Sequence, residues 1–315
     1  MLKMNILDAL RRRLVLFDGG MGTMLISYGL EPGKAPESWL LYRPEEIAAV
    51  HRAYLEAGAE VITTATFGAN RLRLASSSSE ARTSGRRIGS RASKAPQLNK
   101  AAVWIAREAM SVERYTDRFL AGDIGPTGRF FPPIGALTQG EARAAFREQA
   151  EALEGVGVDL FLIETMVDLR EAMEALHAVR EVSNRPVIVC LTFERKPRGF
   201  FTLFGDTPQK AVDSLLSAGA DGLGANCTLG SGEMIELARL FRPLTEAPLL
   251  FQPNAGQPVI GEGAPTYRQQ PAEFASDLEA LAQAGANAVG GCCGTTPEFI
   301  RQAHDRLFPV PLFLR

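Results

Sequence analysis

Gln283-Ala284-Gly285-Ala286-Asn287-Ala288-Val289-Gly290-Gly291-Cys292-Cys293-Gly294 is the stretch on which the fold turns. It reads as a helix end, a closing glycine, a short apolar run, then a glycine pair beside two adjacent cysteines. Its first half recurs as Glu56-Ala57-Gly58-Ala59-Glu60-Val61-Ile62 and Ser217-Ala218-Gly219-Ala220-Asp221-Gly222-Leu223. A looser copy is Gly155-Val156-Gly157-Val158-Asp159-Leu160. Glycine suits the left-handed residue that ends a helix, and the apolar run suits a parallel strand buried on both faces. A repeated helix–glycine–strand pattern is the signature of βα units.

Working outward, candidate strands fall at 14–19, 60–66, 118–123, 159–164, 186–193, 222–227, 249–254 and 288–292, eight in all. Amphipathic stretches lie between most of them, at 44–57, 141–155, 168–182, 208–218, 231–241 and 271–284. Eight such units in 315 residues predict an α/β fold, a (β/α)8 TIM barrel over 1–315 as a single domain. Such barrels typically need about 250 residues. The alternative, an open doubly wound sheet, expects Gly-x-Gly-x-x-Gly after the first strand. Asp18-Gly19-Gly20-Met21-Gly22-Thr23 lacks the third glycine. One segment stands apart. Residues 76–95 are rich in Ser and Arg with one large apolar residue, Ile88, and are expected to be a flexible surface loop. A helix resumes near 97 and runs to Met110.

Composition excludes several classes. Lys+Arg 34 against Asp+Glu 36 gives a net charge of −2, without the basic excess of a nucleic-acid binder. No run approaches ~18 apolar residues, so no membrane span is expected. Arg11–Arg13 are followed only by Leu14–Phe17 before Asp18, too short for a signal peptide, and a cytoplasmic protein is expected. Four Cys in so long a chain are not a disulfide framework.

In a barrel, chemistry gathers where strands end at the C-terminal face. Those ends are Asp18-Gly19-Gly20, Thr64-Ala65-Thr66-Phe67, Gly122-Asp123, Glu164-Thr165, Asn226-Cys227, Pro253-Asn254 and Cys292-Cys293. The sixth and eighth strands flank the seventh, so Cys227 can meet Cys292 and Cys293 across Asn254. Three thiolates suit Zn2+, and three protein ligands leave the fourth tetrahedral position open, as in a catalytic site. A vicinal disulfide or a redox pair at Cys292–Cys293 are the alternatives. The fourth cysteine, Cys190 in Val187-Ile188-Val189-Cys190-Leu191, reads as a core residue. His51, His177 and His304 all fall in predicted helices and read as helix-face residues. A zinc already carrying three thiolates is a poor generator of hydroxide. It is better suited to accept a further thiol and lower its pKa.

The other strand ends offer a complement. Asp18 and Glu164 can bind an ammonium group, and the Gly19-Gly20 amides a carboxylate. Together they would hold an α-amino acid whose thiol reaches the metal. A turn or cap role for Asp18 and a rim ion pair for Glu164 are the bland alternatives.

Taken in order, Leu16-Phe17-Asp18-Gly19-Gly20-Met21-Gly22-Thr23-Met24, Thr64-Ala65-Thr66-Phe67-Gly68-Ala69, Gly122-Asp123-Ile124-Gly125-Pro126-Thr127, Ile163-Glu164-Thr165, Asn226-Cys227, Pro253-Asn254-Ala255-Gly256 and Gly290-Gly291-Cys292-Cys293-Gly294-Thr295-Thr296-Pro297 resemble the homocysteine-binding barrel of the homocysteine S-methyltransferase family. The resemblance runs from about 12 to 306, interrupted at 76–95, where relatives carry an orderly loop and helix. It implies a cytoplasmic enzyme that activates homocysteine as a zinc-bound thiolate and methylates it to methionine. It implies one Zn2+ per chain on Cys227, Cys292 and Cys293. Asp18, Gly19, Thr64 and Glu164 would surround the amino acid, with Asn254 a metal neighbour when substrate is absent.

Within the family, Asp18–Met24 and the Gly68 after Phe67 look like the first module of cobalamin-dependent methionine synthases. Betaine-dependent members carry Tyr where Gly68 and Thr165 stand. S-methylmethionine-dependent members lack the Gly-Gly-Met-Gly-Thr string. The expected donor is therefore methylcobalamin, with a separate corrinoid or folate-binding methyltransferase protein as partner, or with this chain as one piece of a larger system. A 315-residue chain has no room for those modules. S-methylmethionine or betaine as donor, and a non-catalytic homocysteine-binding barrel, are the alternatives. A flavin or nicotinamide oxidoreductase would need a phosphate site where the cysteines stand.

Overall fold

Each repeat glycine takes the backbone its sequence predicts. Gly58, Gly219 and Gly285 have φ of 103°, 95° and 103°, a region L side chains rarely adopt. Around each, the next residue's N–H reaches back across the helix end: Ala59 to the Tyr54 carbonyl (3.0 Å), Ala220 to Leu215 (3.0 Å), Ala286 to Leu281 (3.1 Å). This closure turns the chain from helix to strand within two residues. The polar residue that follows then fastens the start of a neighbouring strand. Asp159 accepts from the Leu120 N–H (2.7 Å), Asp221 from Val187 (2.9 Å) and Asn287 from Leu249 (3.0 Å). An arginine holds each of them in turn: Arg107 on Asp159, Arg180 on Asp221 and Arg242 on Asn287. Arg13 does the same for Glu60.

The computed structural model describes residues 4–31, 33–77, 93–112, 115, 117–259 and 265–309. Eight parallel strands make up its main sheet: β1 Val15–Leu16, β2 Val61–Thr63, β3 Phe119–Ile124, β4 Leu160–Met166, β5 Val187–Leu191, β6 Gly222–Gly230, β7 Leu249–Asn254 and β8 Ala288–Val289. They pair in chain order, β1 lies beside β8, and a parallel bridge from Phe17 to Val61 joins β1 to β2. The sheet thus closes on itself as a TIM barrel, with helices outside. Helices Pro44–Glu56, Ala95–Ala109, Gln139–Val156, Leu169–Arg180, Pro208–Ser217, Ser231–Phe241, Pro271–Gln283 and Pro297–Leu307 supply that layer.

Strand alternation divides the core in two. Val15, Phe17, Val61, Phe119, Ala121, Leu160, Leu162, Ile188, Cys190, Leu250 and Ala288 form a cluster inside the barrel. Ile6, Ala9 and Leu10, from helix Ile6–Arg12, plug its base. Intervening residues such as Leu120, Phe161, Val189 and Phe251 join the helices in the outer core. A period of two sets this division. Cys190 is fully buried and a free thiol, as its sequence context predicts.

Several strands differ from their expected bounds. β1, β2 and β8 are short because Asp18, Thr64 and Gly290 onward leave the ladder for rim loops, while β6 runs three residues past Cys227, to Gly230. Helix Ile6–Arg12 and an antiparallel hairpin, Glu194–Lys196 with Gly199–Phe201, were not expected. Most of the loop expected at 76–95 lies outside the described residues. Its edges are helical: Ser76 belongs to helix Arg71–Ser77, and Ala95 opens the helix expected to begin near 97.

Candidate metal and amino-acid site

Inward alternation, continued up the strands, changes from apolar to polar. Above Ala121 comes Asp123, above Leu162 Glu164, above Gly224 Asn226, and above Leu250 Gln252 and Asn254. All five are buried or half-buried at the C-terminal rim. Cys227 follows Asn226, so strict alternation would turn it outward. The backbone departs from the strand instead: Cys227 and Thr228 have φ of 61° and 58°, and the pairing of β6 with β7 shifts register between Asn226 and Gly230. Left-handed backbone is costly for non-glycine residues and collects at functional sites. Here it re-aims the Cys227 sulfur toward Cys293, at 3.8 Å.

Beyond β8 the loop is fixed strand by strand. Gly291 donates to the Asp18 carbonyl (3.0 Å), Cys292 to Pro253 (2.9 Å), and the Cys293 N–H to Asn254 Oδ1 (3.1 Å). The three sulfurs of Cys227, Cys292 and Cys293 lie within 4.8 Å of one another. They are the one group of ligating side chains of this kind among the described residues, and they could hold a metal ion. With Zn–S near 2.3 Å and tetrahedral angles, adjacent sulfurs should be about 3.8 Å apart, so the donor set fits zinc. Without a metal the thiols cannot all ionise together. Hydrogen bonds from the Cys227 and Cys292 thiols pull Cys293 below its usual range, while contacts with Cys227 and Cys293 and burial hold Cys292 well above it.

Beside the sulfurs lie two buried carboxyls, Asp18 and Asp123, and the half-buried Glu164. Asp18 accepts from the Thr63 N–H (2.8 Å) and hydroxyl (3.2 Å), yet burial outweighs both and raises its pKa to about 8. Burial raises Glu164 to about 7, against an opposing hydrogen bond to Asp123. Asp123 is pushed well above its usual range by burial and by Glu164, and its Oδ1 has no protein donor. No Lys or Arg ion-pairs with any of the three among the described residues. A buried acidic pocket without its own cation favours a cationic group from outside.

The remaining expected residues sit on the same rim with some side chains already committed. Gly19 packs so tightly that a Cβ there would lie 2.7 Å from Thr295 Oγ1. The Gly20 N–H donates to Thr295 Oγ1 (3.0 Å), so of the two expected carboxylate-binding amides this one is in use. The Thr64 hydroxyl accepts from the Asp123 N–H (3.0 Å) and pairs with Thr66 (2.6 Å). Asp123, Thr63 and Asn226 were not among the expected site residues, although alternation from Ala121, Val61 and Gly224 marks their inward side. His51 and His177 lie in helices, and His304 packs on Phe308, all away from the sulfurs. No helix among the described residues is long and apolar enough to cross a membrane.

Comparison with known proteins shows the family and the fold. The family model for homocysteine S-methyltransferase matches residues 15–307. The chain is 32% identical over 314 residues to the methionine synthase of Mycobacterium leprae (strain TN), covering 95% of this chain and 24% of that protein. It therefore spans about a quarter of that relative's length. The crystal structure of the homocysteine methyltransferase MmuM from Escherichia coli, metallated form, superposes with a TM-score of 0.73 at 24% identity, covering 94% of this chain and 96% of that one. Its oxidized form gives a TM-score of 0.75 at 24% identity, covering 96% and 100%. At that identity the likeness is one of fold.

Proposed function

The chain belongs to the homocysteine S-methyltransferase family, and from that premise we propose that it methylates homocysteine to methionine at a zinc site formed by Cys227, Cys292 and Cys293. The observation that carries this reading is the placement of a cation-seeking carboxyl pocket against a three-sulfur cluster. One amide, that of Asn226, touches both Glu164 and Cys292. A small amino acid with a side-chain thiol presents an ammonium to the one and a sulfur to the other. Zinc held there would lower the thiol's pKa and keep it ionised at neutral pH.

The chain's own residues supply the rest. Glu164 and Asp18 take the ammonium, and ionise as it arrives because a neighbouring positive charge favours the carboxylate. The Gly19 amide is left to take the carboxylate. Thr63 aims Asp18, Thr64 braces the β2–β3 rim, and Asn254 holds the Cys293 backbone. The ionised sulfur then attacks the donor's methyl carbon, and the methyl–donor bond breaks with its electron pair on the donor. We assign the donor as a methylcorrinoid, methylcobalamin carried on another protein. The likeness of Asp18–Met24 and Gly68 to the first module of cobalamin-dependent methionine synthases supports this. Thiolate chemistry of this kind needs a reducing compartment.

A donor comparison tests the assignment. Zinc-loaded protein with homocysteine is offered methylcobalamin, a methylated corrinoid protein, S-methylmethionine and betaine, and methionine is measured. Fastest turnover with the corrinoid forms is expected. Turnover with betaine or S-methylmethionine alone would overturn the donor assignment and leave the homocysteine site standing.

A further inference from the structure

Asn226 is fully buried and all of its polar side-chain atoms are engaged. Its Oδ1 accepts the Thr165 N–H at 2.8 Å, which fixes the orientation of the amide, because a backbone N–H can only face the oxygen. The nitrogen therefore faces Glu164 Oε2 and Thr165 Oγ1 (2.8 Å), and lies 3.8 Å from Cys292 Sγ. Its main-chain carbonyl accepts from the Thr192 hydroxyl (3.2 Å). Thr165, directly after Glu164, has a φ of 56°, and Cys227, directly after Asn226, a φ of 61°. Two strained residues, one on each strand, thus flank a single amide that ties β4 to β6.

We propose that Asn226 is a positioning residue that couples amino-group recognition to the sulfur cluster. Its nitrogen carries two hydrogens and meets three acceptors, Glu164, Thr165 and Cys292. A ligand ammonium at Glu164 satisfies that carboxylate and lets an Asn226 N–H serve the Cys292 sulfur, where it supports negative charge. Recognition of the ligand's amino end and retention of charge at its sulfur end then reinforce each other. The inference rests on the reading that Glu164 takes the ammonium.

The test is a double-mutant cycle of Asn226→Asp and Glu164→Gln, with zinc-loaded protein and two thiol ligands. One is homocysteine. The other is 4-mercaptobutanoate, which lacks the amino group. Asn226→Asp keeps the acceptor for the Thr165 N–H and removes the donors. Homocysteine affinity should fall about tenfold or more and 4-mercaptobutanoate affinity by much less, and the homocysteine loss should shrink when Glu164 is already Gln. Equal losses for both ligands, or strictly additive losses for homocysteine, would overturn the proposal. Sulfur-to-metal charge-transfer absorption of the Co2+-loaded protein reads the sulfur end separately. It should shift in Asn226→Asp and shift on homocysteine binding to the parent, and no shift in either case would also overturn the proposal. Asn226→Ser, which removes the amide without adding charge, runs in parallel and gives the same readings if the first variant fails to fold. Protein that binds metal with the expected spectrum but binds no homocysteine would remove the ammonium reading instead.

Discussion

Cys292 is the residue the site can least do without. Its sulfur closes the cluster, and its carbonyl anchors the Thr295 hydroxyl at 2.7 Å. Cys292→Ser should lower zinc from about one per chain to well below that and abolish methionine formation; metal analysis after gel filtration checks it, and full metal content would contradict the ligand assignment. Asp18→Asn keeps the shape and removes the charge. The loss of one charge-assisted contact should raise the KM for homocysteine about 10- to 100-fold. A buried base elsewhere makes a prediction about stability. His51 has neither ring nitrogen bonded among the described residues, and burial pulls its pKa from 6.5 down to about 4. The unfolded chain takes up a proton that the folded one refuses. Stability is therefore unaffected by this group above pH 6.5 and falls between 6.5 and about 4, by up to about 3 kcal/mol. His51→Leu should flatten that fall in urea melts across the window, and an unchanged slope would show that His51 does not carry it.

Among the elements, the base and the rim of the barrel use different rules. Helix Ile6–Arg12 fills the base with Ile6, Ala9 and Leu10, all essentially without exposure. Leu10→Ala should cost about 2–5 kcal/mol, read as a lower denaturant midpoint with an unchanged slope. A loss under 1 kcal/mol would mean the base collapses around the gap. The repeat elements were legible in sequence because glycine at Gly58, Gly219 and Gly285 has one conformational purpose, which fixes where helix ends and strand begins. The polar residue after each repeat was legible as a position and not as a role: Asp159, Asp221 and Asn287 fasten adjacent strands. At the rim, Cys292 and Cys293 were legible from their glycine setting. Asp123 and Asn226 were named at strand ends without a role, because strand-end spacing says which residues reach the rim, and only the folded barrel shows which side chains meet, as Asn226 on β6 meets Glu164 and Thr165 on β4 across the intervening β5. Helix Ile6–Arg12 lies in a short basic stretch whose amphipathic face matters only once the barrel base exists to receive it.

In the molecule as a whole, one barrel carries a buried acidic pocket and a three-sulfur cluster that could hold a metal on the same face, and a hydrophobic plug at the other end. The proposed function requires a metal at Cys227, Cys292 and Cys293 for homocysteine to be methylated. The most direct measurement is methionine formation from homocysteine and methylcobalamin by the same preparation, first zinc-loaded, then stripped by a chelator, then reloaded. Methionine is expected with about one zinc per chain, none after stripping, and recovery on reloading. Methionine formed at an undiminished rate by the stripped protein would contradict that requirement.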